Sequence, residues 1–223
     1  MTRTAPRTPT PSRHRRRTQQ ERTAATRAQL LGAAIEQLAE EGYGRTTTVD
    51  VAQRAGVSRG ALVHHFPTRS DLVVGAHEYL CDRRLAELED AIGRLSASDD
   101  RVSAFVDLMW STFRGPLFLA QLELWIAART DPALHARLYP LERGFGKRLW
   151  DLCAEALGDH PGAGPFYELT KQIMRGMAVE RLLKPDEIER TECVERWKAL
   201  AVAVLDTPAH PRGGAASARR RVR

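Results

Sequence analysis

The chain has 223 residues, 43% of them hydrophobic, enough to bury a real core in one domain or two closely packed ones. Lys and Arg outnumber Asp and Glu by 34 to 28, and the resulting formal charge of +6 permits a polyanionic partner. Cys81, Cys153 and Cys193 lie far apart with no CxxC spacing, which argues against a disulfide framework or a zinc site and for buried thiols in a reducing cytoplasm.

No apolar segment follows the amino-terminal arginines, so the chain is read as having no secretory signal. The most apolar run, PLFLAQLELWIAA, is too short to span a bilayer and is interrupted by Gln121 and Glu123. Residues 1–17 hold much of the positive excess among Pro and Thr, and are expected to form a disordered basic arm. Thr18 and Glu21 then make a capping box, and Ala24, Ala28, Leu31, Ile35 and Leu38 repeat at steps of three and four, one helical stripe that stops at Gly42. Thr47 and Asp50 open a second helix, with Val51, Ala52 and Ala55 facing inward and Gly56 ending it.

Ser58 caps a third, short helix that ends near His65 or Phe66, and Pro67 punctuates the chain. Thr68 with Asp71 starts a fourth, carrying Leu72, Ala76, Leu80 and Leu85. A helix from Val102 to Phe113 breaks at Gly115-Pro116, and another runs from Leu117 to about Ala128. Asp131-Pro132 begins a long helix with the stripe Leu134, Leu138, Leu141, Phe145, Leu149, Leu152 and Ala156, ending at Gly158. Two more carry Phe166, Leu169, Ile173 and Met177, then Ile188, Trp197, Leu200, Val204 and Leu205, before a basic tail at 207–223 that is also expected to be disordered. No alternating strand pattern and no repeat stands out, so the fold class is all-α, with about nine helices.

Two short helices joined by a tight turn, the second carrying exposed polar groups, follow the helix-turn-helix plan. Ala52 allows close crossing, Gly56 the turn, Val57 plugs it, and Leu62 with Phe66 anchors the second helix inward. Arg59 stands in the first turn of that helix, the part that reaches base edges, and its guanidinium suits bidentate contact with guanine. Gly60 and Ala61 keep the helix slim. His64 and His65 are neighbours and point about 100° apart, so they cannot chelate one metal from one face, and no nucleophile or orienting carboxylate accompanies them. No metal site, cofactor or catalytic constellation is indicated. One histidine is expected to touch DNA while the other packs at the helix end.

The stretch LLGAAIEQLAEEGYGRTTTVDVAQRAGVSRGALVHHFPTRSDLV resembles the DNA-binding domain of the tetracycline-repressor (TetR) family of bacterial transcriptional regulators. The resemblance rests on Gly42-Tyr43, the Thr pair before the second helix, AxxAGVSxGxL, HF, a basic residue and Leu72. It implies that Thr47 and Thr48 contact phosphate, that Ser58, Arg59, Gly60, Ala61 and His65 line the major groove or backbone, and that Arg69 grips phosphate. Val63 stands where the family usually has a Tyr whose hydroxyl bonds phosphate, leaving His64 or the basic arm as the replacement.

The resulting organisation is a disordered arm over 1–17, a helix-turn-helix domain over 18–68, a helical effector-binding and dimerisation domain over 69–206, and a disordered tail over 207–223. An elongated apolar pocket is expected between the helix from Pro132 and the helices carrying Trp110, Phe113, Phe118, Gln121, Leu122 and Trp125, with Phe145 facing it. The last two long helices carry apolar residues on more than one face, as a homodimer interface requires. The function expected is a cytoplasmic, non-enzymatic regulator that binds a palindromic double-stranded DNA operator and releases it on binding a small, mostly apolar effector. A transcriptional activator on the same fold, or an architectural DNA-binding protein without an effector, are the alternatives.

Overall fold

A computed structural model describes residues 18–95, 100–158, 160–184 and 187–206, and among them finds nine helices and no strand. Both basic segments, 1–17 and 207–223, lie outside the described residues, as do the side chains of Ile188 and Val204. Helix α1 (Gln19–Arg45) opens on the capping box: Thr18 accepts from the Glu21 amide and Glu21 reaches back to the Thr18 amide. Its inward stripe, Leu30, Leu31, Ala34, Ile35 and Leu38, is at most 3% exposed.

Gly42 does not end α1 outright. It turns the chain through φ 79°, ψ 166°, and one further helical turn runs to Arg45. That backbone region is nearly closed to residues with a side chain. A Cβ on Gly42 would also meet Glu123 Oε2, on α6, at 3.0 Å, while the same oxygen accepts the Tyr43 amide at 3.0 Å. Gly42→Ala is therefore expected to cost about 1–3 kcal/mol of stability, read by thermal or urea unfolding; an unchanged midpoint would show that the bend tolerates a Cβ.

Helices α2 (Thr48–Arg54) and α3 (Arg59–His65) form a tight pair around Gly56, whose φ is 64°. Val51 and Leu62 are fully buried and Phe66 is nearly so. Helix α4 (Arg69–Leu95), started by reciprocal Thr68–Asp71 hydrogen bonds, packs on α1, α5, α6 and α7. The remaining elements are α5 (Arg101–Thr112), α6 (Pro116–Ala128), α7 (Pro132–Leu157), α8 (Ala163–Glu180) and α9 (Glu187–Asp206). Helix α1 lies against α6 more extensively than against any other helix, so α6 touches the helix-turn-helix unit directly.

Phe166, Met177 and Trp197, expected on a surplus apolar face of the last two helices, are instead buried within the chain. The Trp197 indole N–H donates to Thr170 at 2.9 Å and its ring stacks on Phe166. Among the described residues, the large apolar side chains left outside on this part of the molecule are Leu169, Val179, Leu182, Leu183 and Leu200.

Candidate nucleic-acid interface

Helix α2 begins at Thr47, whose hydroxyl oxygen accepts the Asp50 amide at 3.2 Å and donates to Asp50 Oδ2 at 2.5 Å. Thr47 is exposed and Thr48 half-buried, at a helix start whose first amides have no partner within the helix, as phosphate binding needs. Ser58 caps α3 by accepting from the Ala61 amide at 3.2 Å.

The outward face of α3 is Arg59, Gly60, Val63 and His64, all exposed, two pairs one helical turn apart. Arg59 has no hydrogen-bond or ion-pair partner among the described residues, so its five donors are available. The space beside Gly60 is open, which lets the backbone approach a groove floor. Ala61 is half-buried.

The two histidines divide as their 100° separation requires. His64 is exposed; His65 is half-buried beside Phe66. Burial first, then the neighbouring His64 and Arg27 charges, holds His65 below the ordinary histidine range, so it packs as a neutral ring and His64 is the one of the two that faces outward.

Arg69 is half-buried and engaged within the protein. Its Nε donates to Thr46 O at 2.8 Å, its Nη2 donates to Tyr43 O, and the guanidinium lies 4.0 Å from the Tyr43 ring centroid. At the end of α1 the Tyr43 carbonyl has only a long bond from the Thr46 amide, 3.3 Å, and a cation at the start of α4 supplies donors to it and to the Thr46 carbonyl. Arg69 thus holds the α1–α2 junction in position instead of projecting towards solvent. Val63, about half exposed, faces outward at the position where the family usually has a Tyr, and Val49, equally exposed, is an outward residue that the sequence reading did not place.

The family model "Bacterial regulatory proteins, tetR family" matches residues 30–76, which span this unit. The HTH-type transcriptional regulator CymR of Pseudomonas putida is 33% identical over 184 residues, 81% of this chain and 90% of CymR. The chain belongs to the tetR family. An uncharacterized HTH-type transcriptional regulator of Mycobacterium tuberculosis is also 33% identical, over 85% of this chain and 99% of its own length. A transcriptional regulator from Rhodococcus sp. Rha1 shares the fold, with a TM-score of 0.63 and 22% identity over 80% of this chain and 95% of that one. The protein is a DNA-binding transcriptional regulator, and not an enzyme.

In the second half of this tetR-family regulator the expected aromatic pocket is filled. Phe113, Phe118, Gln121 and Phe145 are buried, and Phe113 and Phe118 meet edge to face at 5.2 Å. What fills the space is Arg84 of α4, only 7% exposed. Its guanidinium donates to Gln121 Oε1 and, at 3.3 Å, to Thr112 O, and it lies over the Phe113 and Phe145 rings. Burial pulls the Arg84 pKa down to about 10, so it remains a cation at neutral pH. Trp110 and Leu122 are half-buried and belong to the walls of neither cavity described next.

Trp125 alone of that set borders a cavity of about 370 Å³ between α6, α7 and α8. Its other walls are Ala128, Leu138, His135, Tyr139, Glu142 and Arg175. Glu142 Oε1 accepts from Gln121 Nε2 at 2.8 Å and from Trp125 Nε1 at 2.5 Å, and lies 3.2 Å from His77 Nε2. His77 is fully buried, and that burial pushes its pKa below the ordinary range. A second recess of about 520 Å³ lies on the other side of Arg84, between α1, α4, α5 and α6, with Glu36, Arg83, Glu87 and Arg94 at its edges.

Arg84, His77, Glu142 and Arg175 were missed from sequence. His77 and Arg84 fall on the inward stripe of α4 with Ala76, Leu80, Cys81 and Leu88, and polar residues in register with an apolar stripe were the signal that could have found them. Among the described residues, no group of three or more His, Cys, Asp or Glu side chains could hold a metal ion, and no helix is long and apolar enough to cross a membrane.

Proposed function

We propose that the regulator is a homodimeric repressor that holds a palindromic operator with two copies of α3 and releases it when a small, mostly apolar molecule enters the α6–α7–α8 cavity. On each half-site, Thr47, Thr48 and the α2 amides hold phosphate, with Ser58 at the start of α3. Arg59 reads a base edge, Gly60 lets the helix approach, Val63 offers a methyl surface to thymine, and His64 reaches the backbone. Ala61, His65 and Arg69 keep those residues in place.

The observation that carries the reading is the path along α6. Gln121 and Trp125 bind Glu142 at the cavity, and Glu123, between them in sequence, accepts the Tyr43 amide at the foot of α1. Arg69 clamps the carbonyl of the same Tyr43 and that of Thr46, one residue before the α2 cap. A ligand that displaces Trp125 moves α6, and through Glu123 the seat of α2 and α3. It releases DNA only to the extent that it prefers the displaced arrangement.

Leu169, Val179, Leu182, Leu183 and Leu200 supply an apolar face for a second copy, and a twofold dimer sets two recognition helices on adjacent half-sites. The test pairs a footprint with a variant. The footprint is a short symmetric site, whereas coverage independent of sequence would favour an architectural protein. Glu123→Ala is expected to bind effector and operator nearly as the parent does, while the effector's 5–150-fold weakening of operator affinity, typical of such coupling, collapses toward unity. An undiminished response in Glu123→Ala would remove α6 as the route, and a monomer on DNA in sedimentation would remove the dimer.

A further inference from the structure

The α6–α7–α8 cavity carries an unbalanced charge. Arg175 of α8 borders it with its guanidinium 4.9 Å from the Trp125 ring centroid, and its Nε is buried without a hydrogen-bond partner. No ion pair joins Arg175 to a carboxylate among the described residues. The single acid in the wall, Glu142, is already committed: Gln121, Trp125 and His77 all converge on its Oε1. Directly behind stands a second buried cation, Arg84, which donates to Gln121 and Thr112, both neutral acceptors. His77 adds no charge to offset, since its burial favours the neutral ring. Arg175 in the wall and Arg84 behind it thus set two guanidinium groups against one carboxylate beside a cavity with aromatic and aliphatic walls.

A buried, unpartnered donor on a cation is costly unless something occupies it. The rest of the wall says what shape that something has. His135 and Tyr139 stack with only 14° between their planes, Trp125 stands beside Arg175, and Ala128 and Leu138 close the apolar part. At about 370 Å³ the space fits one or two fused rings.

We propose that the effector is a small aromatic monoanion, an arene carboxylate, whose carboxylate forks onto Arg175 while its ring lies against Trp125, Tyr139 and Leu138. This rests on the effector-responsive reading above and names the chemistry of its site. The fork satisfies the Arg175 Nε and a terminal N–H together, a geometry for which guanidinium and carboxylate are matched. The added negative charge brings the Arg84–Glu142–Arg175 group to neutrality.

The test uses the full chain with benzoate and naphthalene-2-carboxylate, and with the amides and methylamines of the same rings as neutral and cationic counterparts. Calorimetry and thermal shift report binding, and fluorescence anisotropy of a labelled operator reports release. The carboxylates are expected to bind at least about tenfold tighter than their amides, the amines not at all, and Arg175→Gln to erase the difference. Because the Arg175 Nε has no protein partner, Arg175→Gln is expected to leave the melting temperature of the free protein nearly unchanged, which separates a ligand-holding residue from a structural one. Arg175→Lys keeps the charge without the fork and recovers part of the preference.

Amides or amines that bind as well as the carboxylates overturn the anion assignment; if they also release the operator, the effector-responsive reading stands. Carboxylate binding that survives Arg175→Gln and is lost on Arg83→Gln or Arg94→Gln moves the site to the recess between α1, α4, α5 and α6 and overturns the proposal. Binding by none of the six compounds overturns it as well, and an operator released by some other class of ligand would then keep the broader reading.

Discussion

Arg84→Ala is expected to destabilise the protein by about 3–5 kcal/mol, a fall in melting temperature of about 6–20 °C for a chain of this size. Three losses combine. The substitution deletes most of a side chain that is only 7% exposed, and the surrounding rings of Phe113 and Phe145 cannot all collapse into the gap. It strands a buried acceptor, Gln121 Oε1, and a part-buried one, Thr112 O. It also frees Gln121, whose amide fixes Glu142 at the cavity wall. Arg84→Met keeps volume and loses only the donors, so it is expected to cost less, about 1–3 kcal/mol. Unfolding by urea, followed by circular dichroism, measures both. Equal losses for Ala and Met would show that packing contributes nothing here, and a loss below about 1 kcal/mol for Ala would show that Arg84 is not the keystone its contacts describe.

Arg59→Ala is expected to weaken operator binding by about 1–3 kcal/mol, roughly fivefold to more than a hundredfold, and to relax base preference at one position of each half-site. Arg59 is exposed at the start of α3 and no described residue engages it, so truncation leaves the folded protein as stable as before. Arg69→Ala makes the contrast. Its donors hold Tyr43 O and Thr46 O, so its loss lowers thermal stability and weakens every DNA sequence alike, by letting α2 and α3 wander from their seat. Anisotropy titrations against the operator and single-base variants, run at two salt concentrations, separate the pair. A uniform loss across sequences for Arg59→Ala would reassign that side chain to phosphate. A stability-neutral Arg69→Ala with a flattened salt dependence would return Arg69 to the phosphate role that the family resemblance implies.

The helix-turn-helix unit was legible because its determinants are local. Thr18–Glu21, Thr47–Asp50, Ser58 and Thr68–Asp71 are caps whose partners lie three residues away, and each forms as the spacing dictates. Leu62 and Phe66, four apart, had to share the inward face, and that placed Arg59 outside. The same logic divided His64 from His65 without naming which one packs; Phe66 and Arg27, brought together by the fold, made that choice.

The cavity was not legible, for a physical reason. Aromatic residues at helical spacing announce that space must be filled, and say nothing about what fills it. Arg84 comes from α4, 29 or more residues before Phe113 in the chain, and only the crossing of α4 with α5, α6 and α7 puts its guanidinium between Phe113 and Phe145. The second partner set of Arg69 was hidden in the same way: a basic residue at a helix start reads as a phosphate ligand, and only the fold brings the two carbonyls at the end of α1 to it. Periodicity and capping thus determined the nine helices and the outward face of α3, because those are interactions within a turn or two of one chain segment. Tertiary packing alone decided which charges are buried, which cavity stays open, and that α6 reaches the α1–α2 junction, because these depend on which helices cross and where.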